Sequence, residues 1–349
     1  MIKYLGSKRL LVGTIGDLAE ATGAQTALDL FTGTTRVARE LKLRGMTVTA
    51  ADIATYSHVL AQTYIGTDAM SIDKDALNDA VTELNRLPGH PGYFTETFCR
   101  ASRFVHPDNG ARVDAIRDRI EDRYRDSWLY PVLLTSLLEA TDRVDSTTGL
   151  QMAYLKQWAP RALQPMELRV PDLLAGPGTA VLGDANRLVT QLPQVDLAYL
   201  DPPYNQHRYF TNYHVWETLV RWDSPSHYGV ACKREDAREE RTKSDYNRKA
   251  RMPVALAELV GAVRADVVIL SYNNESWLTR EQLEAFFEDA GYEDLTCVTV
   301  DHKRYVGAQI GIHNPQGRRV GRVSHLRNKE YLFVAGPRSR IARVREQHC

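Results

Sequence analysis

The segment Asp201-Pro202-Pro203-Tyr204 joins a carboxylate, two prolines and an aromatic ring directly after the apolar stretch VDLAYL. That stretch predicts a buried strand. Each proline fixes φ and lacks an N–H, so the pair ends the strand and stiffens the turn. Because ligands bind at the carboxyl edge of an open α/β sheet, we expect a rigid, ligand-facing loop. A Pro-Pro strand terminator without chemistry is the alternative interpretation.

Such a loop suits methylation of an exocyclic base amine, which is a poor nucleophile because its lone pair is delocalised into the ring. Asp201 can accept one N–H of the amine, and the backbone carbonyl of Pro202 can accept the other. Tyr204 can stack on a base turned out of a helix. With an electrophilic methyl donor opposite, positioning and electrostatics carry the transfer, so we expect neither a metal nor a covalent enzyme intermediate.

The elements that would hold a donor begin near the N-terminus. Residues 10–22 predict a short helix, and TALDLFTGTT predicts a strand that runs into a Gly/Thr turn. TRVARELKLRG then has helical spacing with a stop at Gly45, and MTVTAADI predicts a second strand that ends near Asp52. This strand–turn–helix–strand order is the opening of a βαβ unit.

From about residue 57 to 176 helical periods dominate, which predicts a helical insert. Strand patterns return in TAVLGDA, VDLAYL, ADVVILSYNN, DLTCVTVD and EYLFVAG, and TREQLEAFFEDAG predicts a helix between two of them. The polar, charged residues 223–252 predict a long mobile loop. The fold class is therefore α/β, a Rossmann-like sheet flanked by helices with a mainly helical insert.

Composition sets outer limits on function. The 349 residues are 43% hydrophobic and 25% charged, which is typical of a globular protein. No apolar stretch approaches the roughly 20 residues of a membrane helix, and the N-terminus has no apolar signal region. The four cysteines form no Cys-x-x-Cys pair, so we expect a reduced, cytoplasmic protein without a zinc knuckle. Although 44 basic residues balance 44 acidic ones, eleven Lys and Arg against two acids follow from Lys303 onward, which indicates a basic face.

Five segments in this order resemble the Dam-like DNA adenine-N6 methyltransferases. They are residues 3–9 (KYLGSKR), 29–33 (DLFTG), 52, 183–184 (GD) and 201–205 (DPPYN). The resemblance covers most of the chain and is greatest to a branch that continues much as NQHRYFTNYHVWE and LSYNNE do here. It implies S-adenosylmethionine as the methyl donor.

The resemblance also implies site residues. The donor site would be formed by Tyr4, Lys8, Asp29, Phe31, Gly33, Asp52, Asp184 and Asp201, and the catalytic loop by Asp201, Pro202, Pro203 and Tyr204. Asp52 would accept the ribose hydroxyls and Asp184 would lie near the donor's adenine, although a turn or a helix cap is the alternative for each. Thr35 departs from the family, which usually has glycine there, so either the turn changes conformation or donor affinity suffers.

The resemblance further implies two functional regions in the chain. Residues 1–56 and 177–349 would form the catalytic domain, and residues 57–176 would contain the target-recognition region. An arginine and aromatic mix in the insert suits phosphate contact and stacking: Arg100, Arg103, Phe104, Arg123, Tyr124 and Arg125. We expect double-stranded DNA as substrate, a cognate restriction endonuclease as a candidate partner, no membrane association, and a monomer or weak dimer.

Other functions stay open at this point. A cytosine-N4, RNA-base or glutamine-amide methyltransferase would use similar chemistry, although aspartate at position 201 favours adenine. A catalytically inactive DNA-binding subunit is a further alternative. The missing Gly-x-Gly-x-x-Gly pattern disfavours a nicotinamide dehydrogenase. His207 and His214 follow the catalytic loop, but a general base is unnecessary for an amine of this kind.

Overall fold

The computed structural model of the protein describes residues 2–4, 8–204, 206, 208–274, 276–303 and 327–348. The chain divides into two compact units. The first unit comprises Met1–Lys8, Leu28–Leu188 and His207–Ser244, and the second comprises Arg9–Ala27, Val189–Gln206 and Asp245–Cys349.

Seven of the nine strands in the described residues form one sheet in the order β3-β2-β1-β4-β7-β9-β8. The strands are β1 (Thr26–Asp29), β2 (Thr47–Asp52), β3 (Gly178–Leu182), β4 (Val195–Leu200), β5 (His227–Tyr228), β6 (Lys233–Arg234), β7 (Ala265–Asn273), β8 (Asp294–Lys303) and β9 (Arg327–Gly336). The pairs β2–β3 and β4–β7 are parallel, whereas β9 runs antiparallel to both β7 and β8. The predicted α/β class and Rossmann-like sheet are confirmed.

Twelve α-helices lie in the described part of the chain. They are α1 (Val12–Thr22), α2 (Arg36–Leu43), α3 (Thr55–Ala61), α4 (Lys74–Asn85), α5 (Pro107–Tyr124), α6 (Leu129–Arg143), α7 (Ala185–Leu188), α8 (Tyr209–Asn212), α9 (His214–Arg221), α10 (Met252–Ala262), α11 (Arg280–Asp289) and α12 (Arg338–His348). Two π-helical segments, Gln62–Gly66 and Thr95–Ala101, extend the helical insert.

The first unit contains β2, β3 and the helical insert. Helix α4 begins at a side-chain cap, since Asp73 accepts the Ala76 N–H at 3.0 Å. Helix α5 starts with Pro107, whose missing N–H costs nothing in the first turn. Buried leucines along α6, including Leu133, Leu134, Leu137 and Leu138, fill the core of the insert. The helical character predicted for this region follows from that apolar periodicity.

The second unit is built on β4 and β7, which are apolar on both faces. Residues 197–200 and 267–270 are at most 1% exposed, as expected of central parallel strands covered by helices. Helix α11 begins at Thr279, whose hydroxyl accepts the Gln282 N–H while the Gln282 side chain accepts the Thr279 N–H. This capping box explains why the helix predicted over TREQLEAFFEDAG begins there.

The prediction of a long mobile loop over residues 223–252 is wrong. The segment forms the short hairpin β5–β6 and three 3₁₀ turns, and helix α10 begins at Met252. Arg234 is 2% exposed, and its guanidinium donates to both Asp223 carboxylate oxygens at 2.7 and 2.6 Å and to Asp236 at 2.9 and 3.0 Å. The segment is held by these ion pairs together with buried side chains such as Ala231, Cys232 and Tyr246.

Candidate active site

The turn after β1 is tied to the end of β2. The buried Asp29 accepts the Phe31 N–H at 3.4 Å, and the Thr32 N–H donates to the carbonyl of Ala51 at 3.1 Å. Gly33 has φ +50°, in the left-handed region, and its N–H donates to Asp52 Oδ2 at 2.9 Å. Three residues of the predicted donor site (Asp29, Gly33 and Asp52) therefore lie together.

Asp52 is held by backbone donors at the carboxyl end of β2. Its Oδ2 accepts the Gly33 N–H and its Oδ1 accepts the Ala54 N–H, each at 2.9 Å. Burial raises the pKa of Asp52 to about 6, although these backbone hydrogen bonds oppose the rise. A carboxylate offers about four lone-pair positions, so the bonds fix its orientation and leave it able to accept further hydroxyl groups.

Tyr4 lies in a stack of tyrosines beside the same turn. Its ring stacks on those of Tyr209 and Tyr213, with centroid distances of 5.2 and 4.7 Å, and its hydroxyl lies 3.4 Å from that of Tyr56. A Cβ at Gly33 would come within 3.2 Å of the Tyr4 ring, so only glycine fits there. Burial raises the pKa of Tyr4 well above its usual value. Tyr4 is a predicted site residue, whereas its packing against Tyr209 and Tyr213 was not predicted.

The other predicted donor-site residues of the first unit are Lys8, Phe31 and Asp184. Lys8 is buried and Phe31 is partly exposed. Asp184 follows β3, and its Oδ1 accepts the Arg187 N–H at 3.3 Å, so it caps the short helix α7. Residues 5–7 of the N-terminal motif lie outside the described residues.

Two exposed apolar residues at the edge of the sheet were also missed. Ile53 follows Asp52 directly and is 55% exposed, and Leu182 is 47% exposed. Leu182 is the register partner of Asp52 across the parallel pair β2–β3. An apolar surface beside a hydroxyl-accepting carboxylate suits an aromatic base joined to a ribose. The sequence signal for it was an isoleucine directly after the strand-end aspartate.

Thr35 keeps a conformation that normally requires glycine. The residue is fully buried, with φ +63° and ψ +16°, directly before helix α2. Its hydroxyl donates to the carbonyl of Thr34 at 2.6 Å. The turn therefore does not change to suit a β-branched residue, and Thr35 carries backbone strain.

The strain at Thr35 predicts that glycine is more stabilising than alanine at this position, the reverse of the usual order. We expect the free energy of unfolding of Thr35→Gly to be roughly 1 kcal/mol higher than that of Thr35→Ala. Alanine in a left-handed conformation keeps a steric cost that glycine does not have. Both variants lose the same buried methyl group and hydroxyl, so the comparison isolates the backbone. Urea titrations of the two proteins measure the difference, and an alanine variant as stable as the glycine variant would contradict the assignment of strain.

The predicted catalytic loop belongs to the second unit. Asp201, Pro202, Pro203 and Tyr204 follow β4 as an irregular segment, in which Pro202 is buried. The Tyr204 ring lies 5.5 Å from that of Tyr272 at an angle of 60°. Tyr272 comes from β7, which pairs with β4 so that Leu270 is opposite Leu200. The loop is thereby supported by the neighbouring strand, as expected for a rigid turn.

A buried polar cluster lies at the carboxyl end of β7. Glu330 of β9 is 1% exposed and accepts the Ser271 hydroxyl at 2.8 Å and the Asn273 amide at 3.2 Å. Register pairing sets Asn273 opposite Glu330. The segment LSYNNE carries part of the family resemblance, but no local pattern indicates that a glutamate 57 residues beyond Asn273 orients it.

His214 has a structural role. Its side chain is fully buried, and Nε2 donates to the carbonyl of Gln151 at 2.9 Å. Burial lowers the pKa of His214 to about 3, so the ring is neutral at physiological pH. His207 and Asn205 lie outside the described residues.

Several residues predicted to contact DNA serve the insert's own packing. Phe104 and Tyr124 are 1% and 7% exposed, so the prediction that they stack on bases is wrong. Arg123 pairs with Glu83 at 2.5 Å and Arg125 pairs with Glu121 at 2.8 Å. Arg100 pairs with Glu96 in the same way. These arginines neutralise carboxylates of the insert itself.

Basic residues near the C-terminus are also engaged. Arg340 pairs with Asp266 at 3.0 Å, Arg343 donates to the carbonyl of Thr22 at 2.9 Å, and Arg345 pairs with Asp294 at 2.7 Å. Helix α12 thus packs onto its own unit through these contacts. The basic residues between 304 and 326 lie outside the described residues.

Two further observations concern the described residues only. Within them, no group of three or more His, Cys, Asp or Glu side chains could hold a metal ion. No helix among them has the length and apolar character needed to cross a membrane.

Comparison with known proteins agrees with this arrangement. The family described as D12 class N6 adenine-specific DNA methyltransferase matches residues 4–286. Type II methyltransferase M.NlaIII of Neisseria lactamica is 30% identical over 346 residues, covering 95% of this chain and all of that enzyme. Modification methylase StsI of Streptococcus sanguinis and type II methyltransferase M.FokI of Planomicrobium okeanokoites are 29% and 27% identical, covering 88% and 87% of this chain. The chain spans about half the length of these last two proteins.

The family match includes both the turn at Gly33 with its partner Asp52 and the loop that begins at Asp201. Together with an identity of 30% over the whole of one relative, it confirms the resemblance found in the sequence. The chain belongs to the D12 class N6 adenine-specific DNA methyltransferases, which take their methyl group from S-adenosylmethionine.

Proposed function

We propose that Asp201, Pro202, Pro203 and Tyr204 form the catalytic loop with which this enzyme methylates N6 of adenine within a specific sequence of double-stranded DNA. The observation that carries this proposal is the proline-stiffened loop at the end of β4, supported by the Tyr272 ring. Family membership supports adenine as the base.

The residues of the first unit fit S-adenosylmethionine. Gly33, with φ +50°, forms a tight turn after β1, and we propose that the backbone of this turn approaches the donor's methionine part. Asp52 has acceptor positions for the two ribose hydroxyls, and Ile53 and Leu182 offer an apolar surface for adenine. We propose that Tyr4, Lys8, Asp29, Phe31, Asp184 and Asp201 complete the donor site. When bound, S-adenosylmethionine supplies an electrophilic methyl group.

The protein's own contribution to the reaction is to orient and polarise the amine. In the proposed arrangement the Asp201 carboxylate accepts one N6–H and the Pro202 carbonyl accepts the other, which directs the nitrogen lone pair away from both. The negative charge of Asp201 stabilises the positive charge that develops on nitrogen as the new bond forms. Tyr204 stacks on the flipped adenine and holds it in place.

The division of the chain and its biological setting belong to the same proposal. Residues 1–56 and 177–349 would form the catalytic domain, with the target-recognition region in residues 57–176. Because two of the relatives are named type II methyltransferases and one a modification methylase, we propose a role in restriction–modification beside a cognate endonuclease. The enzyme would act in the cytoplasm as a monomer or weak dimer.

Asp52 provides a test of the donor site alone. Asp52→Ala is expected to weaken S-adenosylmethionine binding by roughly 1–3 kcal/mol, because the ribose hydroxyls lose a buried acceptor. In the unaltered protein, affinity should also fall as the pH drops through about 6, where the carboxylate becomes protonated and loses acceptor capacity. Calorimetry measures both effects, and unchanged affinity in the variant would remove Asp52 from the site.

Product analysis tests the reaction itself. The protein is incubated with tritiated S-adenosylmethionine and duplex DNA, and the digested nucleosides are separated. The proposal expects label in N6-methyladenine. Label in N4-methylcytosine would keep the mechanism and overturn the base, whereas 5-methylcytosine would overturn both. Labelling of RNA in preference to duplex DNA would overturn the substrate.

A further inference from the structure

We propose that residues 147–158, an irregular loop of the insert, read the bases of the DNA target, with Lys156 and Gln157 as the residues that contact base edges. This inference rests on the proposed function and adds to it the element that sets sequence specificity. We call the segment the 147–158 loop.

One end of the loop is fixed beside the donor site. Gly149, with φ +95°, approaches Lys3 so closely that a Cβ at Gly149 would lie 3.9 Å from that of Lys3. Lys3 directly precedes Tyr4, and its ammonium group is held at 3.1 Å by Asp145. Arg161, on the far side of the loop, pairs with the same carboxylate at 2.7 Å. The two ends of the loop are therefore joined to one buried aspartate.

The middle of the loop is fixed to the segment that follows the catalytic loop. Gln151 is 3% exposed, and its side-chain oxygen accepts the Val215 N–H at 2.9 Å, at the start of α9. Its backbone N–H donates to the carbonyl of Asn212 at 2.9 Å, and its carbonyl accepts the His214 ring N–H. Tyr213, which stacks on Tyr4, lies between these residues. The loop is thus anchored to residues that flank Tyr213 in the sequence.

The exposed part of the loop carries two side chains that can donate hydrogen bonds to base edges. Lys156 and Gln157 are both exposed, and within the described residues neither side chain has a hydrogen bond or ion pair. Trp158 beside them is fixed by Arg103, whose guanidinium lies 4.4 Å from its ring centroid, and by the His106 ring at 5.2 Å. Two unengaged donors therefore project next to a held aromatic ring.

The arginines on and beside α5 and in the segment Thr95–Ala101 are already engaged, unlike Lys156 and Gln157. On α5, Arg119 and Arg123 both pair with Glu83, and Arg117 is 1% exposed. Arg125 and Arg100 pair with glutamates one turn away. Binding DNA through these arginines would require breaking the existing ion pairs, whereas Lys156 and Gln157 need break none.

The anchors of the loop at Gly149 and Gln151 lie next to Lys3 and to the residues around Tyr213, and base flipping gives a segment anchored there a role. An adenine that leaves the duplex to reach the enzyme brings its flanking base pairs against the rim of the site. In the major groove a lysine donates to O6 and N7 of guanine, and a glutamine amide pairs with N6 and N7 of adenine. We infer that each of the two side chains specifies one base pair beside the flipped adenine.

A library of duplexes tests this inference. Each duplex carries one adenine target with randomised neighbouring positions, and sequencing of modified bases gives a methylation profile for each variant. Lys156→Ala and Gln157→Ala are each expected to lose discrimination at one position by about 5-fold to 150-fold, the usual value of one base contact. Lys156→Arg should retain the preference, because arginine makes the same contacts with guanine. Affinity for S-adenosylmethionine should not change.

Lys74→Ala and Asn78→Ala are matched controls, because both residues are exposed on α4. Their profiles should equal that of the unaltered enzyme. Unchanged profiles in both loop variants, or equal changes in the controls, would overturn the inference. If a loop variant is too slow to profile, competition binding of cognate against scrambled duplex measures the same discrimination, and an unchanged ratio would count against the loop. Absence of adenine methylation by the unaltered protein would instead overturn the proposed function.

Discussion

Asp201→Ala is expected to abolish detectable methyl transfer, and Asp201→Asn to retain only a small fraction of the rate. The asparagine keeps an acceptor oxygen for the amine but lacks the charge that stabilises a positive nitrogen. Loss of one preorganised electrostatic contact commonly lowers a rate by about 10²–10³-fold. Transfer of tritiated methyl groups to duplex DNA at saturating donor concentration measures both variants.

Tyr204 supplies the comparison for that experiment. Tyr204→Phe should reduce the rate far less than Asp201→Ala, because stacking uses the ring and not the hydroxyl. Tyr204→Ala should weaken capture of the flipped base and raise the KM for DNA. Circular dichroism should stay close to that of the unaltered protein in all four variants, and specific DNA binding should do so in all but Tyr204→Ala. Near-native turnover by Asp201→Ala would contradict the proposed mechanism.

Arg117→Leu is expected to lower the free energy of unfolding by about 3–5 kcal/mol, the usual result of removing one partner from a buried charged network. The Arg117 guanidinium is 1% exposed and donates to the carbonyls of Leu219 and Val220 at 2.9 and 3.0 Å. It also pairs with Glu121 at 2.7 Å. The substitution leaves the last carbonyls of α9 without these donors, in a place where water does not reach them.

Arg123→Leu on the same helix is the matched control. Its guanidinium pairs with Glu83, but the side chain is 58% exposed, so we expect a change below about 1 kcal/mol. Urea titration followed by tryptophan fluorescence measures both proteins. Equal stability of the two variants would show that burial of Arg117 contributes nothing beyond an ordinary surface ion pair.

The parts of the fold that the sequence predicted correctly are those with strong local patterns. The stretch VDLAYL followed by Pro-Pro determines both the strand and its end, and the turn around Gly33 is fixed by short-range steric limits. Helix α11 follows its capping residues. In each case neighbouring residues decide the structure, so no knowledge of distant contacts is needed.

The errors have the opposite cause. Residues 223–252 resemble a solvated loop because composition does not show that Arg234 is enclosed by Asp223 and Asp236. Tyr124 has the residue type of a base-stacking side chain, but it is buried. Tyr209 contacts Tyr4 across some 200 residues of sequence. Pairing and burial of this kind depend on tertiary packing, which a single sequence does not encode locally.

The same long-range stack constrains how the enzyme is made in the cell. A ribosome adding about 5–20 residues per second needs roughly 10–40 s after Tyr4 before Tyr209 and Tyr213 are synthesised. Lys3 likewise waits for Asp142 and Asp145, about 140 residues later. The N-terminal segment therefore emerges first but cannot make its final contacts until Tyr213 has been translated, so the tyrosine stack beside the donor site is completed only after more than half of the chain.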